Sequence, residues 1–401
     1  MRFREDAPME RSARRGPGAS VVVVGGGLVG MSLAYELVAA GADTILIDRH
    51  DPGRATDAGA GILSPETNLD PDPALFAFGL AAARHYTTLT ERLGDDGAPE
   101  TGFGVTGSLL VGERQGDDET MAMAVELIAR RSPGLTEEIE PGDVSRFFPL
   151  LGPVRRALFN PAGRRVDGRV LNDALRRAAQ SRGLRVINDR ARGVALDRRG
   201  GTIQGVVTEE TTVVADTVVI AGGAWSPEMA TAFGVTLPVY PLKGQIVHLS
   251  VPDVDTRAWS IVQPVLSYYL VPWPDGRVAC GGTMEASAGF DTRPTADGLY
   301  QLLRECLRTA PGLAQSTVAE VRVGTRPATP DDRPVLGRLP GWDNAFVATG
   351  HGAEGLLLGP LSALMVAREV LGVDDVPEGL EGAALSQVLE LCSPGRFAGS
   401  S

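Results

Sequence analysis

Four consecutive valines, Val21 to Val24, run straight into Gly25-Gly26-Gly27-Leu28-Val29-Gly30. An unbroken apolar run of this kind reads as a strand buried on both faces of a parallel sheet. Leu33, Ala34, Leu37 and Val38 then recur at helical spacing, Gly41 closes the helix, and Thr44 to Ile47 read as a second strand ending in Asp48. Strand, turn, helix and strand within about 30 residues make the βαβ unit of a Rossmann-type fold. Gly25, Gly27 and Gly30 fill the G-x-G-x-x-G pattern in that context. The first allows the tight turn, the second lets the backbone approach a pyrophosphate, and the third lets helix and strand pack closely. The helix start, Leu28 and Val29, offers free N–H groups and a positive dipole end. Asp48, with Arg49 beside it, stands where a carboxylate binds a ribose hydroxyl pair, which disfavours a ribose phosphate.

Length then bounds the architecture. A chain of 401 residues exceeds one ordinary core, so two domains are expected. Composition is that of a globular protein, 43% hydrophobic and 22% charged, and fifty glycines suit tight backbone turns around a ligand. A net charge of −12 repels phosphate backbones, so no nucleic-acid partner is expected. Cys280, Cys306 and Cys392 are too far apart for a metal pattern or a disulfide framework, which fits the cytoplasm and no metal. No stretch of about 18 apolar residues exists, so no membrane span is expected. Residues 1–18 are polar and rich in Arg, Glu and Pro, and are expected to be disordered. Arg14-Arg15 imitates a twin-arginine export signal, but the apolar run that follows is the nucleotide strand itself.

Further along, Leu171 to Ala179 reads as helix, and Leu184–Ile187, Arg192–Asp197 and Thr202–Thr208 as short strands. Thr217–Ile220, ahead of Ala221-Gly222-Gly223-Ala224-Trp225, reads as another core strand. Val278–Gly282, Thr317–Gly324 and Ala345–Ala348 follow as strands, and Leu356–Leu371 as the last helix. Segments 91–154 and 236–324 carry Pro, aromatic residues and alternating strands without βα alternation, and read as two pieces of an inserted substrate domain. Segments 19–90, 155–235 and 325–371 are then the nucleotide domain, and 372–401 a trailing tail.

Two loops favour a flavin over a nicotinamide. Instead of further βα units, the chain continues from Asp51 through Pro52-Gly53-Arg54-Ala55-Thr56-Asp57-Ala58 into Gly59-Ala60-Gly61-Ile62, small residues able to lie against an isoalloxazine ring. Near the far end, Thr349-Gly350-His351-Gly352-Ala353-Glu354-Gly355 opens an apolar helix. Its start would aim N–H groups and a positive dipole at a reduced flavin.

With these segments in place the chain resembles the glycine oxidase / D-amino-acid oxidase family of FAD-dependent amine oxidoreductases. The likeness runs through most of residues 20–371. It includes Pro241-Leu242-Lys243-Gly244-Gln245, Tyr268-Tyr269-Leu270-Val271-Pro272 and Gly281-Gly282-Thr283-Met284-Glu285. Most specific is Gly324-Thr325-Arg326-Pro327-Ala328-Thr329-Pro330-Asp331, followed by Pro334-Val335-Leu336-Gly337. The resemblance implies an α/β fold of the p-hydroxybenzoate-hydroxylase kind: a Rossmann-type FAD domain interrupted by an α+β substrate domain with a mixed sheet. It implies non-covalent FAD held by the glycine loops and Asp48, together with Val194, Ala221, Gly222, Trp225, Gly244, Arg326, His351, Glu354, Gly355 and Leu356. Cys280, mid-strand, is not expected to link the flavin. The resemblance further implies that Arg326 pairs with a substrate carboxylate, for which a planar fork is suited. Tyr269 falls on the family's substrate tyrosine, and strand alternation allows only one of Tyr268 and Tyr269 to face the flavin.

The implied reaction is oxidation of a C–N bond in a small amino acid or related amine. A hydride passes to flavin, the imine hydrolyses, and oxygen takes the electrons to give hydrogen peroxide. A dehydrogenase of the same fold would use a quinone or other carrier instead; a non-catalytic nucleotide sensor or NAD-binding reductase would hold no flavin. The protein's part is orientation and electrostatics, so no acid–base dyad is needed. His50, His85 and His248 lie outside any motif, whereas His351 is expected at the cofactor. Glycine oxidases carry a bulky residue and then an arginine after this histidine. Here Gly352, Ala353 and Glu354 follow, which leaves room for a substrate larger than glycine. Ser267 stands where glycine oxidases can place a polar ring near the substrate. A homo-oligomer is compatible with this reading.

Overall fold

The computed structural model describes residues 9–10, 20–67, 72–197 and 202–397. The valine run becomes the strand Ser20–Val24 near the middle of a six-stranded sheet. In order across the sheet the strands are Arg185–Ile187, Asp43–Ile47, Ser20–Val24, Thr217–Ile220, Ala345–Thr349 and Val335–Arg338. All pair in parallel except the last, which is antiparallel to its neighbour. Alternation splits the valines: Val21 and Val23 join a core with the helices Leu28–Ala39, Gly168–Ser181 and Gly355–Leu371. Val22 turns to the opposite core, with Ile203, Val206 and Val213 of a four-stranded sheet. Continuous apolar runs are required here because both sheet faces are covered.

The second large sheet has eight strands, in the order Thr317–Ala328, Tyr240–Ser250, Arg277–Gly281, Tyr269–Pro272, Ile261–Pro264, Ser108–Gly112, Arg156–Asn160 and Glu137–Ile139. It is mixed, since Ile261–Pro264 runs parallel to Ser108–Gly112 while the other pairs are antiparallel. One face packs on the helix Ala296–Thr309 through Val247, Leu270, Cys280, Leu302 and Cys306. The other, through Ile246, Ile261, Val271 and Ala279, meets Ala60 and Ile62 of the small-residue loop. This is the expected α/β architecture with a mixed sheet, and the strand Thr317–Ala328 carries the Arg326-Pro327 motif to the junction of the two sheets.

Several elements depart from the sequence expectation. Segments 91–154 and 236–324, read as strands, also contain the amphipathic helices Asp118–Arg131 and Ala296–Thr309. Arg156–Asn160 belongs to the eight-stranded sheet although the expected boundary at 155 puts it in the nucleotide domain. Residues 372–401 do not simply trail away: Gly382–Cys392 is a helix whose Val388 and Cys392, four residues apart on one face, are fully buried in the first core. Of the expected disordered segment 1–18, residues 1–8 and 11–18 lie outside the described residues, while Met9–Glu10 pair in parallel with Thr212–Val213. Among the described residues no helix is long and apolar enough to cross a membrane.

Candidate active site

A cavity of about 510 Å³ runs from the Gly25–Gly27 turn to the eight-stranded sheet. At its first end Gly25 has φ +111°, and a Cβ there would overlap the Ala221 carbonyl, so only glycine fits. Gly27 is the extended N-cap of Leu28–Ala39, with no side-chain cap and no acid in the first turn. The positive helix end is therefore open to an anion. The Leu28 N–H is held instead by the Thr56 hydroxyl, at 2.9 Å. Asp48 lies against Gly26, where a Cβ would sit 2.7 Å from its Oδ2.

Arg54, missed from sequence, ties this end together. It is buried, lies 3.3 Å from Asp48, and donates to the Gly26 carbonyl. Asn172 reaches the same carbonyl at 3.2 Å. Along the cavity Gly59, Ala60, Gly61 and Ile62 line one side, and Ala221, Gly222 and Trp225 the other. The 51–62 loop is laced to the Arg-Pro strand, with the Thr325 N–H donating to Gly53 O at 2.8 Å. At the far end lie His351, Gly352, Glu354, Gly355 and Leu356, at the uncapped start of Gly355–Leu371. His351 is 3% exposed, its Nε2 has no protein partner, and burial lowers its pKa to about 4, so the ring is neutral. The buried Thr325 hydroxyl on the same wall is also without a protein partner.

The floor is built by strand register. Gly244 pairs with Gly324 and Leu242 with Arg326, so Arg326 lies diagonally across Gly244 on one sheet face. A Cβ on Gly244 would overlap the guanidinium, and one on Gly282 would sit 2.9 Å from Nη2. Arg326 Nη1 donates to the Thr283 carbonyl at 2.8 Å. Among the described residues no carboxylate forms an ion pair with it; Asp331, the acid close by in sequence, is held by Arg396 at 2.8 Å. Tyr269 is beside it, with its hydroxyl near both Gly281 and Gly282. Burial raises the Tyr269 pKa to about 12 against the pull of Arg326, so the phenol stays protonated. Tyr268 turns to the other face, 3.4 Å from Gln301, as alternation requires.

Most of the residues singled out from sequence meet at this cavity: Gly25, Gly27, Leu28, Val29, Asp48, Arg49, Gly59 to Ile62, Ala221, Gly222, Trp225, Gly244, Tyr269, Arg326, His351, Gly352 and Glu354 to Leu356. Three do not. Gly30 packs helix against turn, where a Cβ would overlap the Gly25 carbonyl. Gly350 supplies the φ +75° that turns the chain into His351. Val194 pairs with Val206 in the four-stranded sheet, while Asp189, Arg190 and Ala191 of the same segment line the cavity. Ser267 is bonded to Glu305 at 3.1 Å and is not on the cavity wall. Cys280 faces the helix-covered core. Lining residues that motif reading did not flag include Ser64, Ile246 and Gln263.

The profile of the family described as DAO, FAD dependent oxidoreductase, matches residues 20–369. An uncharacterized oxidoreductase of Bacillus subtilis, YurR, is 35% identical over 88% of this chain and 95% of its own length. The crystal structure of iminodiacetate oxidase from Chelativorans sp. BNC1 superposes with a TM-score of 0.85 at 36% identity, covering 93% of this chain and 98% of that one. Glycine oxidase from Geobacillus kaustophilus gives 0.83 at 26% identity, covering 94% and 99%.

Proposed function

The chain belongs to the DAO family of FAD-dependent oxidoreductases, and from that premise we propose that it oxidises the C–N bond of a small amino acid or related amine whose carboxylate is held by Arg326. The residues present suit FAD: an uncapped helix start and glycine turn for the pyrophosphate, Asp48 for the ribose, and the partnerless His351 Nε2 and Thr325 Oγ1 for polar atoms of the ring. When bound, FAD supplies the two-electron acceptor for hydride from the substrate α-carbon.

The observation that carries the proposal is Arg326, a cation lining the cavity, with Nη1 bonded to the Thr283 carbonyl and, among the described residues, no acid paired to it. Such a fork takes a carboxylate in a bidentate grip. The protonated Tyr269 beside it donates a further hydrogen bond. Ile62 and Ile246 line the same cavity and make this side of it apolar. The uncapped helix start at Gly355 offers its positive end to charge on the reduced cofactor. His351, neutral and buried, is a contact rather than a proton shuttle. The imine product hydrolyses to a carbonyl compound and ammonia or an amine, and the electrons pass to oxygen, giving hydrogen peroxide.

Gly352 lines the cavity and a Cβ there would meet nothing within 4 Å. Small residues at 352 and 353, where glycine oxidases carry a bulky residue and then an arginine, favour a substrate larger than glycine. The likeness to glycine oxidase and iminodiacetate oxidase supports a carboxylate-bearing amine as substrate. The test is an anaerobic screen of the yellow holoenzyme against glycine, sarcosine, D- and L-amino acids and N-substituted glycines. At least one should bleach the flavin, and admission of air should restore the colour with release of peroxide. Slow return of colour in air would replace the oxidase by a dehydrogenase, and absence of bleaching by any carboxylate-bearing amine would overturn the proposal.

A further inference from the structure

Behind the cavity floor lies a polar cluster, buried at Lys243, Gln245 and Thr283 and half-buried at Glu285, none of which lines the cavity. On Tyr240–Ser250, Gly244 and Ile246 face the cavity, whereas Lys243 and Gln245 point to the opposite side and are 1% and 0% exposed. Lys243 Nζ donates to the Arg293 carbonyl at 2.8 Å and lies 3.6 Å from Glu285 and 3.9 Å from Asp291. Glu285 Oε1 accepts from Gln245 Nε2 at 2.7 Å and from the Thr283 hydroxyl at 2.6 Å. That hydroxyl in turn accepts from the Gln245 N–H at 2.9 Å. Backbone bonds close the circuit: Thr283 N–H to Gln245 O at 3.1 Å, and Glu285 N–H to Lys243 O at 2.9 Å. Gln245 is fixed from its far side by Thr295, through bonds of 2.8 and 2.9 Å.

Lys243 and Gln245 both bond to Thr283 or Glu285, and Thr283 presents its carbonyl to Arg326. Gly282 and Met284, on either side of Thr283, line the cavity. A buried ammonium is costly, and a methionine of similar length would fill the space without that cost. The charge is therefore better explained by what it holds than by what it stabilises. We propose that Lys243 is a positioning residue, which through Glu285, Gln245 and Thr283 fixes the carbonyl that aims the Arg326 guanidinium at a substrate carboxylate. This rests on the reading of Arg326 as the carboxylate anchor. Charged forks are sensitive to small displacements, and a misplacement of about 1 Å can cost up to about 100-fold.

The test uses FAD-loaded protein and two probes, acetate and its neutral analogue acetamide, titrated by the perturbation of the flavin absorbance. Wild type should prefer acetate, and Arg326→Met should lose that preference; if wild type shows none, or Arg326→Met retains it, the anchor reading itself fails. Given that loss, Lys243→Met and Thr283→Val should each lower the acetate-over-acetamide ratio about 10-fold with FAD content retained, and Lys243→Arg should recover part of it. A merely structural role would weaken both probes alike and leave the ratio unchanged. An unchanged ratio in both variants, alongside its loss in Arg326→Met, overturns the positioning role while leaving the anchor intact. Should Lys243→Met fail to fold, Thr283→Val decides alone, since it removes only the hydroxyl that joins Glu285 and Gln245.

Discussion

Arg326 owes its position to glycine as much as to its own chemistry. Gly244 and Gly282 lie under and beside the guanidinium, and a methyl group on Gly244 would occupy the space of Nη1. Gly244→Ala should therefore displace the fork and raise KM for a carboxylate substrate by about 10- to 100-fold. Steady-state kinetics with the flavin content measured alongside check this, and an unchanged KM would mean that Arg326 is not held as described. Arg54 makes a second residue-scale point. In the sequence it stands among small residues that read as an open loop; in the fold it is buried on Asp48 and the Gly26 carbonyl, residues of a different segment. Nothing local to Arg54 signals that contact. The Arg-Pro motif, by contrast, was legible through the family resemblance, and strand register then places its side chain at the cavity.

At the scale of elements, the βαβ unit and the strands around Thr217 and Ala345 follow from continuous apolar runs, which only a sheet covered on both faces accommodates. The helices Asp118–Arg131 and Ala296–Thr309 were hidden because each offers only a narrow apolar stripe, within segments whose Pro and aromatic content suggested strands. The C-terminal helix Gly382–Cys392 was hidden by its polar surroundings, although Leu385, Val388 and Cys392 recur at helical spacing. Val388 is fully buried there. Val388→Ala should cost about 2 kcal/mol of stability, as expected for a truncation in a packed core. Thermal unfolding of the holoenzyme measures it, and an unchanged Tm would show that this helix does not dock.

The whole molecule carries a pH signature in its stability. His248 and His351 are buried and His85 is half-buried, and desolvation lowers each pKa from 6.5 to about 4. An unfolded chain takes up these protons near pH 6.5, the folded chain only near pH 4. The unfolded state therefore binds more protons in this window, and stability is lost as pH falls from about 6.5 to about 4. Unfolding across it should take up as many as three protons, and a pH-independent Tm from 7 to 4.5 would contradict that burial. The two sheets meet at the cavity, and the role proposed for Arg326 on its wall is selection of a carboxylate-bearing amine. The most direct measurement is anaerobic flavin reduction by the best amino acid from the screen and by the same amine without its carboxylate, in wild type and Arg326→Ala. Wild type should reduce with the amino acid only, and the variant should keep its FAD while losing about 100-fold or more in kcat/KM, about 3 kcal/mol of transition-state binding. Equal reduction by the decarboxylated amine, or kinetics unaltered in Arg326→Ala, would contradict it.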